Sequence, residues 1–143
     1  SDRGVRLIAE SAVREIWKRD GTEQHQKRMD IIIRLNGSEQ YDEALELATQ
    51  LIEECPWYAE AWNQRAITYY QLERFDESAD DCQQTLELNP FHFAAAVGLG
   101  QCYLELNDPV AALECFRRGL KLNPNLETVR AQVQYLQRTL EER

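Results

Sequence analysis

At 143 residues, 43% hydrophobic and 29% charged, the chain can build one core that removes roughly 70% of its unfolded surface from water, and its composition is neither disordered nor membrane-like. No apolar run approaches the roughly 20 residues needed to cross a bilayer, so no membrane span is expected. A formal charge of -9 and a pI near 4.7 argue against nucleic acid as a partner, since affinity for phosphates comes largely from Lys and Arg displacing counterions.

The first predicted element covers residues 1–24. Its stretch "VRLIAESAVREIWKRD" sets Val5, Ile8, Ala12 and Ile16 on one helical face and Arg6, Glu10, Arg14 and Lys18 on another, and Asp20 with Gly21 ends it. Five positive and five negative charges cancel over this span, whereas helices that lie on membranes are usually net basic. It is therefore expected to be an additional helix packed on the segment that begins at residue 25.

From residue 25 the chain keeps a fixed period. Pro56, Pro90 and Pro124 stand 34 positions apart, and other columns align with them: Ile32, Ala66 and Gly100; Leu35, Tyr69 and Tyr103; Ala44, Ser78 and Ala112; Ala48, Cys82 and Phe116. Within each row apolar residues recur at three- and four-residue steps in two blocks, separated by the polar turns "NGSEQ", "LER" and "LNDP". Three helical hairpins are predicted, at 25–58, 59–92 and 93–126. Small residues at Ala66 and Gly100 let paired helices approach, and Tyr69, Tyr103 and Phe116 fill the space beside them. The prolines are expected in the first turn of a helix, where the missing N–H costs nothing, so that "ECPW", "LNPF" and "LNPN" close one hairpin and open the next.

Residues 127–143 form a closing helix. Leu126, Val129, Val133, Leu136 and Leu140 fall on one stripe, suited to sealing the last hairpin. The same stripe offers an alternative use, pairing with a second copy of the chain as a homodimer.

These columns resemble the tetratricopeptide repeat family. The central row carries Trp62, Ala66, Tyr69, Phe75, Ser78 and Pro90 at the signature places, and the third carries Leu99, Gly100, Tyr103, Ala112, Phe116 and Pro124. The first is weaker, with Ile31, Leu35, Tyr41, Ala44 and Pro56 but Arg28 where a large apolar residue is usual. The resemblance implies an all-α fold: a right-handed superhelix of helical hairpins, an α-solenoid, with extra helices at both ends.

Charge is uneven along the chain. Residues 25–58 and 59–92 carry -4 and -5, and the remainder sums to zero. Such a bias is ordinarily a solvated face, and otherwise steers a basic partner towards that half. The "DESADD" run, with Asp76, Glu77, Asp80 and Asp81, lacks the ligand alternation and glycine of a calcium loop and reads as a solvated helix start.

No catalytic constellation emerges. Cys55, Cys82, Cys102 and Cys115 form no CxxC pair, so metal ligation is not supported and reduced, buried thiols are expected, as in a reducing compartment such as the cytoplasm. Localisation is otherwise unreadable, because a cleaved targeting segment leaves no trace. His92 in "PFHFAAA" and His25 lack a motif partner, and "VGLG" lacks the third glycine and preceding strand of a dinucleotide loop. Neither cofactor nor enzymatic activity is expected.

The architecture invites binding along the wall formed by the first helix of each hairpin. By resemblance that wall carries Met29, Ile33 and Asn36 in the first hairpin, Glu60, Asn63, Ile67 and Tyr70 in the second, and Ala94, Val97, Gln101 and Leu104 in the third. Family members that hold the acidic tails of heat-shock chaperones use a clamp of Lys, Asn, Asn, Lys and Arg; the matching places here are Met29, Ile33, Gln64, Ala94 and Gly98. None bears the required type, so chaperone acidic tails are disfavoured as partners. What remains is an apolar and aromatic groove with Asn63, Gln64 and Gln101 as amide donors and with Ala94 and Gly98 leaving room for a ligand backbone. The expected function is a protein-interaction scaffold or adaptor that takes a helical or apolar peptide segment from a partner protein. Two other outcomes stay open: a terminal helix of the chain fills the groove, or the chain self-assembles through a terminal helix.

Overall fold

A computed structural model describes residues 23–142. The helix expected over 1–24 thus lies outside the described residues except for 23 and 24, which belong to α1, a helix over 23–37. Six further helices complete the described chain: α2 (Tyr41–Glu54), α3 (Ala59–Gln71), α4 (Phe75–Leu88), α5 (Phe93–Glu105), α6 (Pro109–Leu122) and α7 (Glu127–Glu141). No strand occurs among the described residues. Helix starts keep the sequence period, with α2, α4 and α6 opening at Tyr41, Phe75 and Pro109 and α3, α5 and α7 at Ala59, Phe93 and Glu127. Each helix packs on the next in chain order, and α3 also touches α5.

The turn inside each hairpin is one motif used three times. Glu39, Glu73 and Asn107 adopt left-handed φ values of 63°, 60° and 61°. In the second hairpin Glu73 N–H donates to the Tyr70 carbonyl at 3.0 Å and Arg74 N–H reaches back to that of Tyr69 at 2.8 Å; Gln40 and Asp108 repeat the longer-range bond in the first and third. This is a Schellman closure, which satisfies carbonyls that the helix end would leave without partners.

The turns after the second and third hairpins use asparagine. The Asn89 side chain accepts from Phe91 N–H at 3.1 Å, and that of Asn123 from Asn125 N–H at 3.2 Å. Here the expectation for the prolines needs correcting: Pro56, Pro90 and Pro124 sit three residues ahead of α3, α5 and α7, in the turn. The first helical position goes to Pro109 alone among the described prolines, behind the Asp108 cap, whose carboxylate accepts from Ala111 N–H at 3.2 Å.

Three clusters make up the core. Met29, Ile32, Ala48, Leu51 and Ala61 join α1 to α2 and α3; Ala66, Cys82, Leu86, Ala95, Leu99 and Cys102 join α3 and α4 to α5; Ala112, Phe116, Val129, Val133 and Leu136 join α6 to α7. A Cβ placed on Gly100 would lie 2.7 Å from the Phe116 ring, so glycine is what permits the α5–α6 approach. The closing stripe of α7 is spent inside the chain, with Val129, Val133 and Leu136 all buried against α6.

Polar side chains lock the hairpins together. Arg65 grips Asp81 with two bonds of 2.7 and 2.9 Å and lies over the rings of Trp62 and Tyr69 at 5.2 and 5.5 Å. Asp81 is 4% exposed, which corrects its reading as part of a solvated helix start. Thr68 donates to Asn36 at 2.7 Å, tying α3 to α1, and Ser78 donates to the Ala66 carbonyl at 2.7 Å, tying α4 to α3. Four free cysteines occur, three of them buried, and burial pushes the Cys115 thiol up to about 11.

Candidate functional site

Side by side, α3 and α5 leave a groove of about 340 Å³. From α3 come Asn63, Ile67 and Tyr70, and from α5 come Ala94, Val97, Gly98 and Gln101. Helix α4 contributes Ser78 and Cys82, and the start of α7 adds Leu126 and Val129. None of the lining residues is charged. Gly98 keeps the base open, because a Cβ there would stand 3.4 Å from the Cys82 sulfur. Tyr70 is held by an edge-on contact with Phe75, ring centroids 5.2 Å apart, and its hydroxyl donates to Glu105 at 3.4 Å.

At the N-terminal end of α3 the groove meets a half-buried polar junction. Glu60 Oε1 accepts from Asn63 at 3.1 Å and from Gln64 at 2.9 Å, while His92 contacts its Oε2 at 2.8 Å. His92 Nδ1 accepts the Ala95 N–H at 3.1 Å as the cap of α5, which leaves Nε2 to carry the proton donated to Glu60. Burial alone would raise the Glu60 carboxyl, but the hydrogen bonds from His92, Gln64 and Asn63 together outweigh it and hold its pKa below the ordinary value.

The predicted wall residues divide into two groups. Asn63, Ile67, Tyr70, Ala94, Val97, Gly98 and Gln101 come together at the groove. Four do not. Met29 is 1% exposed and sits in the first core cluster, where its unbranched chain reaches the space beside Ala48 and Ala61. Ile33 is exposed on α1, outside the lining. Gln64 is 8% exposed and bonded to Glu60 and Asn36. Leu104 leans on the third core cluster. The amides expected as donors also differ from expectation, since Asn63 and Gln64 are buried and each donates one N–H to Glu60, leaving Gln101 as the exposed one.

Ser78, Cys82, Phe93 and Leu126 also line the groove and were not anticipated. One signal for them was present: Cys82 shares a column with Phe116, and a small residue where the next hairpin has a large one leaves a space. Leu126 left no such trace, because its place depends on how α7 docks.

A sequence model described as Tetratricopeptide repeat matches residues 34–87 and 63–127. Among curated relatives, DnaJ homolog subfamily C member 7 of Homo sapiens is 35% identical over 83 residues, covering 58% of this chain and 17% of its own length. Hsp70-Hsp90 organizing protein 1 of Glycine max is 31% identical over 87 residues, 61% of this chain and 15% of that protein. The chain therefore spans less than a fifth of these relatives. Among solved structures, the first TPR of Spaghetti (RPAP3) bound to the HSP90 peptide SRMEEVD superposes with a TM-score of 0.79 at 21% identity, covering 83% of this chain and 94% of that one. The Sgt2 TPR domain from Aspergillus fumigatus gives 0.76 at 20% identity, covering 83% and 80%.

Proposed function

Because the chain belongs to the tetratricopeptide repeat family, we propose that it is a protein-interaction module that seats an apolar peptide segment from a partner in the groove between α3 and α5. The observation that carries this reading is an open cavity of about 340 Å³ bounded by Ile67, Tyr70, Phe93 and Val97 and free of charged lining. Cavities of this size with a few placed polar groups suit ligand capture. Ile67 and Phe93 are each 39% exposed, and burying them against a ligand would remove apolar surface from water. Gln101 supplies an exposed amide to fix the register of a bound backbone. Further support comes from the likeness to domains whose solved structures hold chaperone peptides, although Met29, Ala94 and Gly98 stand here at the places matched to the clamp cations.

A display library of apolar 12-residue peptides, selected against the full chain, tests the reading. Selected peptides should bind with Kd in the micromolar range, and Ile67→Glu should weaken them at least tenfold while leaving the thermal melt unchanged, because Ile67 is exposed in the free protein. Failure to enrich any peptide, or equal binding by the variant, would remove the groove as the site.

A further inference from the structure

The register that carries Glu60, Asn63, Gln64, Ile67, Tyr70 and Gln71 in the second hairpin recurs 34 residues earlier and later along the wall. Across the three hairpins these positions hold Asp30, Glu60 and Glu105 and not one Lys or Arg. Two of these carboxylates are joined to groove residues. Glu60 accepts from Asn63 at 3.1 Å, beside the N-terminal end of α3, and Glu105 accepts from Tyr70 at 3.4 Å, where α5 ends. The one imidazole on Glu60 is held at both nitrogens, by Glu60 and by the Ala95 N–H, so it is already engaged within the chain. The groove is thus an apolar floor with a carboxylate at either end, one of its two walls, α3, lying in the part of the chain that carries the net negative charge.

Accepting the groove as the binding site, we propose that its occupant is an apolar segment bearing basic residues beside its apolar core, the charge inverse of the acidic peptides SRMEEVD and SGPTIEEVD held in the solved domains that this chain resembles. A basic flank would meet the exposed Glu105 or the half-buried Glu60 at the ends of the apolar surface, where opposite charges steer association and select between partners. An acidic flank would face two like charges with no cation at the clamp positions to offset them. The selectivity is built by subtraction as much as by attraction: Ala94 and Gly98 remove the donors that an acidic peptide requires.

The test uses three labelled peptides that share one apolar 14-residue sequence and carry two Lys, two Gln or two Glu at the same outer positions. Each is titrated into the full chain by fluorescence anisotropy, with SRMEEVD as an acidic comparator. The Lys peptide should bind roughly tenfold tighter than the Glu peptide, and the ratio should shrink as salt rises from about 50 to 500 mM. In Glu105→Lys the ratio should fall to about one or reverse. Equal affinity for the three peptides, or a ratio untouched by Glu105→Lys, would overturn the charge preference and leave the groove standing. Tighter binding of SRMEEVD or the Glu peptide would reverse the proposal outright. If no peptide binds, the groove itself falls, and this proposal with it.

Discussion

Arg65 illustrates how much of this fold a single side chain holds. Its guanidinium is bidentate on Asp81, over two aromatic rings and within 3.5 Å of the Thr49 hydroxyl, so it ties α3 to α4 and to α2. Both partners are largely shielded, at 16% and 5% side-chain exposure, and removing one leaves the other charge buried without compensation. Arg65→Ala should therefore cost about 3 kcal/mol in urea unfolding, and Arg65→Met with Asp81→Leu together should cost less than either Ala change alone, because the pair is lost with both desolvation penalties. Additive losses would contradict that account. Glu60 predicts a pH effect of definite sign. Its folded pKa lies below the ordinary 4.5, so the fold favours its ionised form, and that stabilisation is complete above about pH 5 and lost as pH falls through the folded value. The stability gap between the wild type and Glu60→Gln, read as urea midpoints from pH 6 to pH 3, should close on the acid side. A gap constant across that range would mean that the junction contributes through packing alone.

At the scale of the element, the hairpin turn is the most informative unit. A non-glycine residue at positive φ is strained by its Cβ, less so for asparagine, whose short polar side chain tolerates the region. The third hairpin uses Asn107 there, while the first two use Glu39 and Glu73. Glu73→Asn should accordingly stabilise the chain by about 0.5–1 kcal/mol without altering the Arg74 N–H to Tyr69 bond, measured as a rise in thermal midpoint. No change, or a loss, would show that the strain is relieved elsewhere. The turns were visible in the sequence as polar breaks, but their left-handed residue was not: a glutamate gives no local hint, and the conformation is imposed by two helices already packed against each other.

For the molecule as a whole, stability is shared between neighbours, and α7 decides where the stack stops. It covers Leu113 and Phe116 with Val129, Val133 and Leu136 and also contributes to the groove. A chain ending at residue 125 should lose the burial of three apolar side chains, roughly 1.5–3 kcal/mol each. That is comparable to the total stability of a small domain, so the melt should drop steeply or vanish. An unchanged melt accompanied by a halved particle mass in light scattering would instead assign α7 to an interface between copies. The amino-acid sequence by itself determined the helical hairpins and their 34-residue period, because those arise from local periodicity and from where small and large side chains can meet. Only tertiary structure decided that Met29 is core, that Asn63 and Gln64 are committed to Glu60, and that Cys82 and Leu126 border the cavity. Glu60 meets His92 32 positions away, and such partners are chosen by the distance and rotation between packed helices, quantities that a one-dimensional pattern does not carry.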